Sequence, residues 1–78
     1  VERSVKAVTG SQTLARGLSA LHLVAASPSG LTMQEVADQV GVHRTIAYRL
    51  LATLVEFRLV AKGEDGRFRP AAGLATLG

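Results

Sequence analysis

The sequence contains no cysteine and no tryptophan, and aromatic residues make up only 4% of its 78 residues. Without cysteine the chain can form neither a disulfide framework nor a cysteine-ligated zinc site. A domain of this size without cross-links depends on a closely packed aliphatic core. The apolar share of 47% is sufficient for such a core and excludes a disordered basic tail. The composition therefore predicts one small folded domain.

An apolar segment of membrane-spanning length is also missing. The longest apolar stretch, residues 18–26, is interrupted by Ser19 and His22 and has about half the length of a bilayer span. Residues 1–10 carry charges but no apolar segment, unlike a secretory signal. We therefore expect a soluble cytoplasmic protein with no membrane partner.

Residue groups typical of enzymes are absent from the sequence. It has no paired carboxylates in an apolar setting, no Ser/His/Asp grouping and no glycine-rich phosphate loop. A chain of 78 residues also leaves little room for a substrate pocket. His22 has no second ligand at metal-binding spacing, so we expect a surface histidine there. The sequence predicts no enzyme, no metal and no cofactor.

A first helix is predicted over residues 12–26, with Ser11 as its N-cap. Apolar side chains recur in it at helical spacing, at Leu14, Leu18, Leu21 and Ala25. Leu23 lies opposite this stripe, and we expect it to be exposed and to mark a dimer contact. Residues 27–30 (SPSG) end the helix because Pro28 cannot continue it.

A second and a third helix follow with a very short turn between them. Thr32 and Glu35 have the spacing of a capping box that starts the second helix, and Gly41 suits the left-handed turn that ends it. The third helix is predicted over residues 44–58. A turn this short forces a steep crossing, and Ala37 is small enough for close approach. This arrangement is typical of the helix-turn-helix.

The third helix has two different faces. Its core side is predicted from a wheel of 100° per residue to contain Ile46, Ala47, Leu50, Leu51, Leu54 and Phe57. The opposite side is polar and largely basic near its start, with no acidic residue before Glu56. A generic solvated face would mix acidic and basic residues along its length. The pattern favours a recognition helix over a three-helix bundle without a nucleic-acid role.

After residue 58 the apolar period changes to that of short strands. Residues 59–62 and 67–69 are strand candidates around a turn at residues 63–66, with Phe68 toward the core. The predicted fold is mainly α: a three-helix winged helix-turn-helix over residues 11–70 with a C-terminal two-stranded β-hairpin wing. We interpret residues 1–10 as a flexible arm and residues 71–78 as the start of a linker helix.

Residues 11–78 resemble the N-terminal DNA-binding domain of IclR-type bacterial transcriptional regulators. The resemblance rests on an ordered set of segments: residues 14–18 (LARGL), 30–32 (GLT), 35–37 (EVA), 41–45 (GVHRT), 48–54 (YRLLATL), 66–69 (GRFR) and 74–78 (LATLG). Three positions differ from the usual family pattern. His43 stands where Pro is common, and Ile46 stands where Thr is common. A Gly is common in the family soon after the third helix, where this chain has Phe57-Arg58.

The resemblance implies partners that composition and spacing do not. Members of this family bind double-stranded promoter DNA, with a palindromic operator expected, as homodimers or dimers of dimers. They carry a separate C-terminal domain for a small-molecule effector, which this chain does not include. The expected function is thus sequence-specific DNA binding as part of a regulator.

Ten residues are predicted to contact DNA. They are Arg44, Thr45, Tyr48, Arg49 and His43 at the third helix, Thr32 and Gln34 at the second, and Lys62, Arg67 and Arg69 in the wing. We expect Arg44 to reach a base and Arg49 a phosphate. The wing should touch the backbone along its flanks only, because Glu64 and Asp65 at its tip repel phosphate.

Structural interpretations stay open beside these assignments. Thr32 is equally explained by capping, His43 by the turn and Thr45 by a backbone amide. For Arg44 and Arg49 a solvated surface is the alternative, and DNA contact is favoured. A winged helix also occurs as a protein-interaction or dimerisation module, which would depend on apolar surface and not on arginines. RNA binding is disfavoured because no exposed aromatic pair is available to stack bases.

Overall fold

The computed structural model describes residues 11–71, and the arm predicted at residues 1–10 and most of the linker predicted at 71–78 lie outside them. The described part contains, in chain order, helix α1 (Gln12–Ala25), helix α2 (Met33–Val40), helix α3 (Arg44–Glu56), strand β1 (Val60–Lys62) and strand β2 (Phe68–Pro70). This order confirms the predicted winged helix-turn-helix. No helix within residues 11–71 has the length and apolarity needed to cross a bilayer.

Helix α1 begins as predicted but buries a different face. The Ser11 hydroxyl accepts a hydrogen bond from the Leu14 amide at 3.2 Å, and the helix ends one residue earlier than predicted. Ala20 and Val24 are fully buried, whereas Leu14 is 62% exposed and Leu18 is 47% exposed. The leucine stripe therefore faces outward at its N-terminal end.

The predicted exposure of Leu23 is also wrong, because α1 buries a different face from the one predicted. Leu23 is half-buried and packs against the central apolar cluster. Helix α1 is apolar around most of its circumference, so spacing alone does not determine which side meets the other elements. The smaller side chains of Ala20 and Val24 allow closer approach, and they form the contact.

Helices α2 and α3 form the predicted helix-turn-helix. The Thr32 hydroxyl accepts from the Glu35 amide at 3.1 Å, and a Glu35 carboxylate oxygen accepts from the Thr32 amide at 2.9 Å. Gly41 ends α2 at a φ of 82°, where an L side chain is strained. Buried Val36 and Ala37 pack α2 against the next helix. The capping box and the glycine turn are both confirmed.

Helix α3 buries Ala47, Leu50, Leu51 and Leu54, as the wheel predicts, but it ends at Glu56 and not at Arg58. Phe57 is 68% exposed, so its predicted place in the core is wrong. The physical reason is the chain reversal that follows. Arg58 takes a φ of 62°, and the Leu59 amide donates back to the Leu54 carbonyl at 2.9 Å.

The wing is an antiparallel hairpin in which Lys62 pairs with Phe68 and Val60 with Pro70. Phe68 is buried, which confirms its predicted direction. Leu31, in the loop before α2, also pairs with Phe68: its amide donates to the Phe68 carbonyl at 3.0 Å, and the Phe68 amide donates back at 2.7 Å. The central cluster joins both regions: Ala20, Val24, Leu31, Val36, Leu51, Leu54, Val60 and Phe68.

Candidate nucleic-acid interface

The N-terminal half of α3 presents its polar side chains to solvent. Arg44, Thr45, Tyr48 and Arg49 are all exposed, and 60% of the Tyr48 surface is accessible. These residues lie four apart in two pairs, so they form two adjacent rows on one side of the helix. Neither arginine forms an ion pair with another residue of the described range.

His43 caps α3 with its side chain. Its Nδ1 atom accepts a hydrogen bond from the Thr45 amide at 3.1 Å. In a neutral ring whose Nδ1 is an acceptor, the proton is on Nε2. The turn interpretation of His43 is therefore confirmed, and the ring still has a donor that does not take part in the cap. The same bond satisfies the Thr45 amide, so the Thr45 hydroxyl is not needed for it.

The start of α2 lies beside the start of α3. A shallow open depression is lined by Met33 from α2 and by His43, Arg44, Thr45 and Tyr48. Met33 was not among the predicted site residues, because an apolar residue in the first turn of a helix gives no sequence signal of a site. The structure thus brings four of the five predicted residues at α3 into one concave surface.

Two other predicted residues of α2 are held by local hydrogen bonds. Thr32 is half-buried and makes the capping box with Glu35. Gln34 is exposed, and its Nε2 atom donates to Asp38 Oδ1 at 2.9 Å. The capping interpretation of Thr32 is confirmed.

The wing cations differ in how they are engaged. Lys62 is exposed, and its ammonium group lies 6.0 Å from the centroid of the Phe68 ring. Arg67 donates from Nη1 to the Gly30 carbonyl at 3.2 Å and to Glu35 Oε1 at 3.4 Å. Arg69 donates from Nη2 to Asp65 Oδ2 at 2.7 Å and to the Ser29 carbonyl at 3.0 Å. Both arginines are thus held against the loop before α2.

These contacts change the acidity of the carboxyl groups. The hydrogen bonds from the Arg69 guanidinium and from the Arg67 amide hold the pKa of Asp65 well below its usual range. The Thr32 amide, followed by the charge of Arg67, lowers the pKa of Glu35 despite partial desolvation. The hydrogen bonds that Arg69 donates to Asp65 correspondingly raise the pKa of Arg69.

Gly30 is a residue that the sequence did not identify as part of this arrangement. It has a φ of 88°, and a Cβ atom there would lie 2.9 Å from the Cβ of Arg67 and 3.1 Å from the Cγ of Arg69. The loop at residues 27–30 indicated only the end of a helix. The close approach depends on the wing, which comes nearly forty residues later.

The IclR helix-turn-helix domain is the family whose model matches residues 13–64 of this chain. The chain belongs to that family. This match confirms the resemblance to IclR-type regulators seen in the sequence.

Relatives of this IclR helix-turn-helix chain are much longer. The HTH-type transcriptional regulator Rv1719 of Mycobacterium tuberculosis is 36% identical over 61 residues, which cover 77% of this chain and 24% of that protein. The crystal structure of an IclR family transcriptional regulator from Brucella abortus superposes with a TM-score of 0.77 at 30% identity, covering 87% of this chain and 26% of that chain. Both relatives are named as regulators, and neither is named as an enzyme.

Proposed function

We propose that this chain binds double-stranded DNA sequence-specifically, as the DNA-binding domain of an IclR-type transcriptional regulator. The N-terminal half of α3 enters the major groove. The observation that carries the proposal is the exposed basic side of that half, with Arg44 and Arg49 and no carboxylate before Glu56. Bacterial promoter DNA lies in the cytoplasm, so the regulator acts there.

The contacts are assigned by position along α3. Arg44 is in the first turn, which lies deepest when the start of a recognition helix enters the groove. Its guanidinium group reads guanine O6 and N7, the commonest specific contact. Arg49 lies more than one turn later and neutralises a phosphate. Thr45 and Tyr48, between them, donate their hydroxyl groups to a base edge or a phosphate.

Contacts to the sugar-phosphate backbone come from the elements around α3. Gln34 and Thr32 lie at the start of α2, the helix that crosses the backbone in this type of docking. His43 donates from Nε2, because its Nδ1 is engaged in the cap. Lys62 is the exposed cation of the wing and contacts a phosphate on its flank.

The full-length regulator is proposed to be a homodimer on a palindromic operator. Leu14 and Leu18 form an exposed apolar face on α1, beside an open groove that Leu23 and His22 also line. Exposed apolar patches of this kind mark association surfaces. This chain spans about a quarter of the length of its relatives, and we place a small-molecule effector in the remaining part of such a protein.

The same apolar face supports a second candidate function, a protein-interaction module that does not bind DNA. The two functions differ in their electrostatic requirement. DNA binding releases counterions from phosphates such as the one that Arg49 neutralises, whereas apolar association depends little on salt. A salt titration therefore separates them.

The test is fluorescence anisotropy of a labelled random-sequence duplex across a range of salt concentrations. Each phosphate contact contributes about −0.9 to the slope of log K against log salt. Arg49→Ala should make the slope shallower by about 0.9. Arg44→Ala should weaken binding and reduce base discrimination by about 1–3 kcal/mol in a selection from random duplexes.

The matched control is the pair Arg16→Ala/Arg58→Ala. It removes the same charge as Arg44→Ala/Arg49→Ala, but from α1 and from the turn after α3. Equal loss of slope in both pairs would mean that overall charge and not the face of α3 binds DNA. Absence of binding by the wild-type chain, also as a covalently linked dimer, would favour the interaction module.

A further inference from the structure

The wing contains a bidentate ion pair at its tip. Arg69 donates to both carboxylate oxygens of Asp65, from Nη2 to Oδ2 at 2.7 Å and from Nη1 to Oδ1 at 3.2 Å. Asp65 Oδ1 also accepts from the Arg67 amide at 3.0 Å. Both oxygens of this carboxylate are therefore used within the wing.

Both wing arginines are directed toward the loop before α2. Arg69 also donates to the Ser29 carbonyl, and Arg67 donates to the Gly30 carbonyl and to Glu35. A side chain at Gly30 would collide with both arginines. The guanidinium groups thus connect the wing to the segment that starts α2, in addition to the Leu31–Phe68 backbone pairing.

We propose that Arg67 and Arg69 are positioning residues that fasten the wing to the start of α2, and that Asp65 limits sequence-independent DNA affinity by keeping Arg69 away from phosphate. This inference rests on the proposed function. It changes the sequence-based assignment of Arg67 and Arg69 as phosphate contacts and leaves Lys62 as the phosphate-binding cation of the wing.

The effect on affinity follows from what a phosphate contact does. A cation that neutralises a phosphate strengthens binding to every DNA sequence alike. If Arg69 were released at the tip of the wing, the affinity for every duplex would rise, and the salt dependence of binding would increase with it. A carboxylate that accepts from both Nη atoms of Arg69 holds the guanidinium group more firmly than a single exposed hydrogen bond would.

Glu64 provides a matched comparison for Asp65. It is the adjacent acidic residue of the same turn, it is exposed, and it forms no ion pair within residues 11–71. Asp65→Asn and Glu64→Gln each change the formal net charge from +3 to +4. The Asn side chain keeps an oxygen that can accept from the Arg67 amide, so the turn is retained. General electrostatic attraction is therefore equal in the two variants.

The experiment measures the anisotropy of a labelled random-sequence duplex against salt for both variants. Asp65→Asn is expected to give a slope steeper by about 0.9 than Glu64→Gln. A fourfold increase in salt then weakens its binding about 3.5-fold more. Adding Arg69→Ala to Asp65→Asn should remove this excess.

Two results would overturn the inference. Equal slopes for Asp65→Asn and Glu64→Gln would show that Asp65 does not restrain Arg69. A slope shallower by about 0.9 for Arg69→Ala alone would show that Arg69 already contacts phosphate in the wild-type chain. If Asp65→Asn does not fold, Asp65→Ser, whose hydroxyl can also accept in a turn, replaces it. Failure of the wild-type chain to bind any duplex would instead overturn the proposed function, and this inference with it.

Discussion

Arg58 has an unusual backbone conformation for its residue type. Among residues 11–71 it is the one non-glycine residue with a positive φ, at 62°. Its amide donates to the Val55 carbonyl and the next amide donates to Leu54, the two bonds of a Schellman motif. Glycine is the usual residue at this position, because it has no Cβ atom to strain.

Replacement of Arg58 by glycine is expected to stabilise the fold. The left-handed conformation costs a non-glycine residue about 1–2 kcal/mol, and glycine gives up part of that gain in unfolded-state entropy. Arg58→Gly should raise the free energy of unfolding by about 0.5–1 kcal/mol, measured by urea denaturation. Arg58→Ala is the control and should not stabilise. An equal gain in both variants would assign the effect to lost charge.

Two glycines of this chain should respond oppositely to the same substitution. Gly30→Ala places a methyl group 2.9 Å from the Arg67 Cβ at a φ of 88°, and should lower the free energy of unfolding by about 1–3 kcal/mol. At Gly17, within α1, the nearest side-chain atom to a new Cβ is 3.9 Å away. Gly17→Ala should raise the free energy of unfolding by about 0.5–1 kcal/mol. Denaturation of both variants checks this, and a gain at Gly30 would contradict the close approach.

At the scale of the element, the first turn of α2 predicts a pH dependence. The Thr32 amide and Arg67 lower the pKa of Glu35 in the folded state. A lowered folded-state pKa means that the unfolded chain binds more protons in acid, so this stabilisation is present above the ordinary carboxyl range and is lost as pH falls through it. Denaturation experiments between about pH 6 and about pH 2, the range in which carboxyl groups titrate, should show a free energy of unfolding that decreases as the pH is lowered.

The variant Glu35→Gln isolates this contribution. Glutamine also serves at this position of a capping box, so the hydrogen bond is kept while the titration is removed. The loss of stability in acid should be smaller in this variant than in the wild-type chain. Glu56→Gln is the control, since Glu56 forms no ion pair within residues 11–71. An identical acid profile for Glu35→Gln and the wild type would contradict the linkage.

The elements were predictable where neighbouring residues determine them. Ser11, the Thr32–Glu35 pair and Gly41 act through bonds to residues a few positions away, and their prediction is confirmed. The exposure of Leu14 and the half-burial of Leu23 were not predictable in this way, because they depend on how α1 packs against α2 and α3. The end of α3 was misplaced because Arg58 takes a conformation that its residue type disfavours.

The predicted site residues also fall into two groups, those whose placement follows from a local pattern and those whose partners are distant in the sequence. The side of α3 that carries Arg44 and Arg49 follows from helical periodicity and is exposed as predicted. The partners of Arg67 and Arg69 lie in the loop before α2, about forty residues earlier in the chain, and no local pattern indicates them. For Arg67 and Arg69 we propose a positioning role in place of the DNA contact, and the DNA contacts of the residues on α3 stay predictions.

At the scale of the whole molecule, the exposed face of α1 predicts self-association. Leu14→Gln/Leu18→Gln should raise the dimer dissociation constant about tenfold or more, because each buried leucine contributes about 1.5–3 kcal/mol. Sedimentation velocity across concentration measures it. Val55→Gln/Phe57→Gln, which changes exposed apolar residues at the end of α3, is the control. An unchanged monomer fraction in the α1 variant would remove this face from the dimer.

The backbone pairing of Leu31 with Phe68 also bears on the order in which the chain folds. A turn of three residues separates the two helices of the helix-turn-helix in the sequence. The wing and the loop before α2, in contrast, are joined by residues that are 37 positions apart. Closing a long loop costs entropy before any contact compensates for it, so such pairings tend to form late. During synthesis, all three helices emerge from the ribosome before the strand that pairs with Leu31. Until β2 emerges, the growing chain lacks both the backbone partner of Leu31 and the Phe68 side chain that completes the central apolar cluster.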